Sequence, residues 1–70
     1  MNEFKLRETE EYIELIKLLK IMQLAQTGGH AKLIIEEGCV LVNDQQEFRK
    51  RKKLRKGDVV EYEEAKIKIV

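Results

Sequence analysis

The ten residues Ile35-Glu36-Glu37-Gly38-Cys39-Val40-Leu41-Val42-Asn43-Asp44 carry a helix end, a strand and a tight turn in succession. Gly38 closes a stretch of helical spacing, and a glycine just past the last turn accepts the left-handed conformation that stops a helix. Cys39-Val40-Leu41-Val42 is a β-branched run, and Asn43-Asp44 tolerates positive φ, so a strand entering a hairpin turn is expected there. Working back from Gly38, the residues Ala31, Ile34 and Ile35 fall along one side of a helix. Thr27 is its natural N-cap, with Gly28 and Gly29 in the first turn. Glu36 and Glu37 face the negative end of the helix dipole, which is a small cost.

Further upstream, Leu15, Leu18, Leu19 and Met22 occupy the i, i+3, i+4 and i+7 positions of one face within the stretch from Ile13 to Met22. Lys17 and Lys20 fall off that stripe, as an amphipathic helix packed on a core requires. Gln23 to Gln26 then make a short connection. Downstream, Val59-Val60-Glu61-Tyr62 and Lys66-Ile67-Lys68-Ile69-Val70 have strand patterns, joined as a hairpin through Glu63-Glu64-Ala65. Phe4-Lys5-Leu6 and Tyr12-Ile13 are shorter extended candidates. No repeat or linker interrupts residues 1–70. The expected architecture is a single α+β domain, two short helices packed on a small antiparallel sheet.

Charge is distributed unevenly. Fourteen Lys and Arg against 13 Asp and Glu give a net charge of +1. Arg49-Lys50-Arg51-Lys52-Lys53-Leu54-Arg55-Lys56-Gly57 nevertheless holds seven of the cations and no acid. Local field, rather than net charge, is what a nearby partner feels. Such a run is either a solvated loop that aids solubility or a surface for a polyanion. A phosphate backbone is the polyanion that best matches a dense cationic run, and binding to it would weaken steeply with salt. An anionic membrane normally asks for an amphipathic helix or a lipid anchor beside the cations, and neither is evident. The first 14 residues carry five acids and two bases, and could fold back over the cationic run as an electrostatic cover.

The same sequence narrows the chemistry. Seventy residues form a core near the lower limit for independent folding, with little room for a deep substrate cavity. There is no serine, and Cys39 is the lone cysteine, so a serine nucleophile, an internal disulfide and a multi-cysteine zinc site are excluded. Within its apolar run Cys39 is expected to be a buried, inert thiol. The adjacent acids Glu10-Glu11, Glu36-Glu37 and Glu63-Glu64 point apart and read as surface charge. No membrane-spanning run or signal-peptide profile is present, so a cytoplasmic protein is expected. No cofactor and no metal is expected.

Gly28-Gly29-His30-Ala31-Lys32 is the second feature of chemical interest. Glycines at a helix start leave backbone N–H groups open to an anion, and Lys32 adds a charge one turn in. The alternative is a tight joint in which glycine only permits close packing. The lysine-bearing half of a Walker pattern and its preceding strand are missing, which argues against a nucleotide-binding loop. His30 lacks a partner at metal-ligand spacing and reads as a surface residue or a phosphate contact. Phe48, just before the cationic run, could stack on a base, although an aromatic in so small a chain is more often core.

The order of these features resembles the αL RNA-binding domain named for ribosomal small-subunit protein S4. The resemblance rests on Thr27-Gly28-Gly29-His30-Ala31-Lys32, on I-x-x-G-x-V-x-V-N from Ile35 to Asn43, and on the G-D-x-V of Gly57 to Val60. It covers about residues 13–62 and is strongest toward small stand-alone bacterial members of YaaA or YbcJ type, which carry no catalytic domain. It implies one RNA-facing surface made by Thr27, Gly28, Gly29, His30, Lys32 and Asn43 with Arg49, Lys50, Arg51, Lys52, Lys53, Arg55 and Lys56. Gly57 and Asp58 are implied to be structural. Many larger members carry two arginines where this chain has Gly28-Gly29, which shifts the charge here onto the cationic run. Most have Asn-Gly where it has Asn43-Asp44.

The expected function is therefore a non-enzymatic, monomeric RNA-binding module acting mainly on phosphates. Ribosomal RNA, or the ribosomal subunit or its precursor, is the implied partner, and ribosome assembly or maturation the implied process. The alternatives are a protein-interaction adaptor whose cationic run docks an acidic partner, and non-specific binding to duplex DNA.

Overall fold

The Thr27 hydroxyl accepts a hydrogen bond from the His30 amide at 3.0 Å, and from that cap a helix runs over Gly28–Glu36. It stops at Gly38, whose φ of 76° turns the chain away while its amide bonds to the Ile35 carbonyl. Glycine is required there twice over. Besides the positive φ, a Cβ at this position would fall 2.9 Å from both Gln46 Nε2 and Phe48 Cε1.

The computed structural model describes residues 2–70. In chain order the elements are β1 (Asn2–Phe4), β2 (Ile13–Glu14), α1 (Leu15–Ile21), α2 (Gly28–Glu36), β3 (Val40–Val42), β4 (Gln45–Gln46), β5 (Lys53–Leu54), β6 (Val59–Tyr62) and β7 (Ala65–Ile69). The two helices and the antiparallel β7-β6-β3-β4 array match the expected α+β layout. Asn43 and Asp44 both have positive φ, 51° and 68°, so β3 and β4 close through the two-residue turn foreseen from their chemistry. Glu63, with φ 55°, opens the turn between β6 and β7.

Two pairings go beyond the sequence pattern. Strand β1 lies parallel to β7, with Asn2 opposite Ile67 and Phe4 opposite Ile69, so the sheet is antiparallel except at this edge. Parallel neighbours need a long connection, and here nearly the whole chain supplies it. Strand β2 pairs antiparallel with β5 in a separate two-stranded ladder, Ile13 opposite Leu54 and Glu14 opposite Lys53. That ladder holds Ile13 extended, and α1 begins at Leu15, the first residue of the apolar stripe.

The apolar face of each element meets in one core. Leu15, Leu18 and Leu19 of α1 and Ala31 and Ile35 of α2 are buried with Val40, Leu54, Val60, Ile67 and Ile69. Among the described residues no polar or charged side chain is buried, so the chemistry of the molecule is on its surface. Cys39 is a correction: it is exposed. The strand's two-residue alternation sends Val40 and Val42 inward, which leaves position 39 on the outer side.

Candidate nucleic-acid interface

The cationic run is held by its backbone. Lys52 O accepts a hydrogen bond from the Leu15 amide and Lys50 O from the Ile16 amide, each at 3.0 Å. These carbonyls satisfy the first open amides of α1, which has no side-chain N-cap bond. Leu54, in the middle of the run, is fully buried and pairs with Ile13. At the far end Asp58 Oδ2 accepts from the Arg55 amide at 2.8 Å, and the Asp58 amide donates back to the Arg55 carbonyl. With its main chain tied to β2, α1 and the Gly57-Asp58 turn, the run presents its side chains outward. Arg49, Arg51, Lys53, Arg55 and Lys56 are exposed, and Lys50 and Lys52 partly so.

The seven cations differ in what they meet. Arg49 donates from Nε and Nη2 to the two carboxylate oxygens of Glu47, at 2.9 and 3.2 Å. That hydrogen bond from Arg49 holds the Glu47 carboxyl below the usual carboxylate range, against a smaller opposing effect of burial. Lys53 Nζ lies 5.0 Å and Arg55 Cζ 5.7 Å from the Tyr12 ring centroid, within cation–π range. Lys50, Arg51, Lys52 and Lys56 form no ion pair among the described residues. Arg49 to Lys53 and Arg55 bound an open depression of about 670 Å³. A larger one, about 880 Å³, lies along the N-terminal segment, but Glu10, Glu11 and Glu14 line it together with Lys5, Arg7 and Lys17. Mixed charge gives a polyanion no uniform field there, so the smaller depression is the better candidate. The acidic N-terminal stretch makes no ion pair with the cationic run among the described residues. It is the Tyr12 ring, rather than a carboxylate, that meets Lys53 and Arg55.

The start of α2 is an open corner. A Cβ on Gly28 would meet nothing within 4 Å, and one on Gly29 only Thr27 Oγ1 at 3.9 Å. Close packing within the protein therefore does not account for these glycines. His30 Nδ1 accepts from the Gln26 amide at 3.3 Å, which leaves Nε2 as the outward ring donor when the imidazole is neutral. Lys32 is exposed one turn on. Among the described residues no hydrogen bond or ion pair joins this corner to the cationic run. Both lie on a molecule whose longest dimension is 31 Å.

Asn43 is occupied internally. Its Oδ1 accepts from the Val59 amide at 2.9 Å, its Nδ2 donates to Asp58 Oδ1 at 3.0 Å, and its own amide donates to the Val59 carbonyl at 2.8 Å. It thus ties the β3–β4 turn to Asp58 and Val59, so Asp58 has a structural part here, as the G-D-x-V motif implies, and the Gly57 amide donates to the Ile69 carbonyl. Glu47 and Tyr12 were not among the residues singled out. Glu47 stands two positions before Arg49, which is a local signal. The approach of Tyr12 depends on the β2–β5 register, for which the sequence offers none. Among the described residues no group of three His, Cys, Asp or Glu side chains is arranged to hold a metal, and no helix is long and apolar enough to cross a membrane.

Residues 4–70 match the S4-domain family. The chain belongs to that family. This S4-domain chain is 47% identical over 53 residues to a protein of Bacillus subtilis (strain 168) named probable ribosome maturation protein RlbA, covering 76% of this chain and 75% of that one. It is 36% identical over 59 residues to the putative RNA-binding protein YbcJ of Escherichia coli (strain K12), covering 84% of each. The solution structure of YbcJ from E. coli, described as revealing an αL motif involved in RNA-binding, superposes with a TM-score of 0.72. Its sequence identity is 34%, and the alignment covers 100% of this chain and 87% of that one.

Proposed function

We propose that this S4-domain protein is a non-enzymatic RNA-binding protein that binds structured ribosomal RNA and acts in ribosome assembly or maturation. One observation carries the reading. The cationic segment is anchored through its backbone while Lys50, Arg51, Lys52 and Lys56 face outward without an acidic partner among the described residues. A loop that served only solubility would need no such anchoring. An anchored row of cations loses little conformational freedom on meeting a row of phosphates.

In this reading Arg49 to Lys53, Arg55 and Lys56 engage phosphates. Thr27, Gly28, Gly29, His30 and Lys32 offer a second point of contact that fixes orientation, with open amides and no side chain in the way at the two glycines. Asn43 supports the surface through the turn it secures. The names of the relatives from B. subtilis and E. coli support ribosome maturation as the process and RNA as the ligand. Crosslinking in cells followed by sequencing of the bound RNA tests this directly. Recovery of ribosomal RNA or its precursors is expected, and recovery of an acidic protein or of DNA in its place would overturn it.

A further inference from the structure

The chain has four aromatic side chains, two Phe and two Tyr, and three have an evident structural use. Phe4 and Tyr62 pack against the core, and Tyr12 lies beneath Lys53 and Arg55. Phe48 is instead 53% exposed. Ile21 and Leu33 are as exposed, at 55% and 54%, but neither is aromatic, and the Phe48 ring stands directly before seven cations.

The ring is nonetheless fixed in place. A Cβ on Gly38 would fall 2.9 Å from Phe48 Cε1 and 3.2 Å from Cζ, so one edge of the ring rests against the Gly38 backbone. Gln46 Nε2 donates to the Gly38 carbonyl at 3.0 Å and stands beside the ring, 2.9 Å from the same Cβ position. On the N-terminal side of Phe48 the Glu47 amide donates to Val40 O, and on the C-terminal side the Arg49 amide donates to Glu47 Oε2, each at 3.0 Å. The backbone on both sides of Phe48 is thus pinned, and the ring is presented to solvent in a set position.

We propose that Phe48 takes an unpaired nucleobase of the RNA against its exposed face, while the adjoining cations Arg49 to Lys52 hold the phosphates beside that nucleotide. The proposal rests on the RNA-binding reading and deepens it by naming the form of RNA recognised. A continuous duplex buries its base faces in the stack, whereas a bulge or loop frees a base to stack on an aromatic side chain. The ligand is therefore a helix carrying an unpaired nucleotide.

The chain has no tryptophan, so Phe48→Trp places the single tryptophan, selectively excited beyond the tyrosine band, at the stacking position. Binding is measured for wild type, Phe48→Trp, Phe48→Leu and Phe48→Ala on a blunt RNA duplex and on the same duplex with one bulged nucleotide. Thermal unfolding of each free protein is measured alongside. Wild type and Phe48→Trp should bind the bulged RNA alike, with quenched tryptophan emission. Phe48→Leu and Phe48→Ala should bind it about five- to hundredfold more weakly, the range of base–aromatic stacking, with an unchanged salt slope. All four should bind the blunt duplex equally. Full affinity of Phe48→Leu for the bulged RNA, or unquenched emission from bound Phe48→Trp, would overturn the stacking role and leave RNA binding intact. Failure of the wild type to bind either RNA at ~0.1 M salt would remove both, because several phosphate contacts should give measurable affinity there.

Discussion

Asn43 shows how a residue on the expected RNA surface can belong first to the fold. It has positive φ, and it bonds through its amide, Oδ1 and Nδ2 to Val59 and Asp58. Asn43→Ala should destabilise the protein by about 2 kcal/mol, from lost hydrogen bonds and left-handed strain, while RNA affinity of the folded protein changes little. Urea unfolding and a binding titration check the two halves separately. Glu47 behaves differently, because it restrains a cation. Its carboxyl pKa is depressed by Arg49, so the stabilisation from this pair is present at neutral pH, above the unfolded value. It is lost as pH falls through the lower folded value. Glu47→Gln should leave the unfolding midpoint nearly unchanged and strengthen RNA binding, because Arg49 then meets phosphate without first giving up its carboxylate partner. Unchanged affinity would mean that Arg49 stays clear of the RNA. At this scale the sequence was legible wherever chemistry was local, as with the Thr27 cap and the Gly38 stop. It misled at Cys39 and Phe48, where composition favoured the core and strand alternation and the Gly38 contact placed the side chains outside.

Among the elements, the start of α2 carries a prediction in which two readouts move in opposite directions. Gly28 and Gly29 have ordinary helical φ and open space where a Cβ would be. Alanine at both positions should raise stability, by as much as ~1 kcal/mol per site, because glycine loses more backbone freedom on folding. If an RNA backbone approaches these amides, the same variant should bind several-fold more weakly. Differential scanning calorimetry and a binding isotherm would show both effects, and a stabilised variant with undiminished affinity would place the α2 start outside the interface. The helices and the β3–β4 and β6–β7 hairpins could be read from the sequence because caps, turns and periodicity are neighbouring signals. The β1–β7 and β2–β5 pairings could not. Their partners are far apart in the chain, and a two-residue strand such as Ile13–Glu14 has no periodicity to detect. Yet that ladder turns the cationic run from a loop into an anchored surface.

For the whole molecule, a net charge of +1 conceals a division into one cationic segment and a surface that is acidic elsewhere. Nothing about that division needed coordinates, since counting charge along the chain exposes it. The structure adds that the segment is braced against α1 and β2, that Glu47 pairs with Arg49 at one end of it, and that Tyr12 lies beside Lys53 and Arg55. Acidic faces elsewhere should confine RNA to one side of a body measuring 31 × 22 × 18 Å and limit indiscriminate binding. The most direct test is a salt titration of ribosomal RNA binding by the wild type and by a variant with Lys50, Arg51, Lys52 and Lys53 changed to alanine. The wild type should bind measurably at ~0.1 M salt with a steep dependence of affinity on salt, and the variant should lose most of that affinity, with a slope shallower by about 3. A folded variant that keeps the wild-type affinity and slope would contradict the assignment of the cationic segment as the RNA-binding surface.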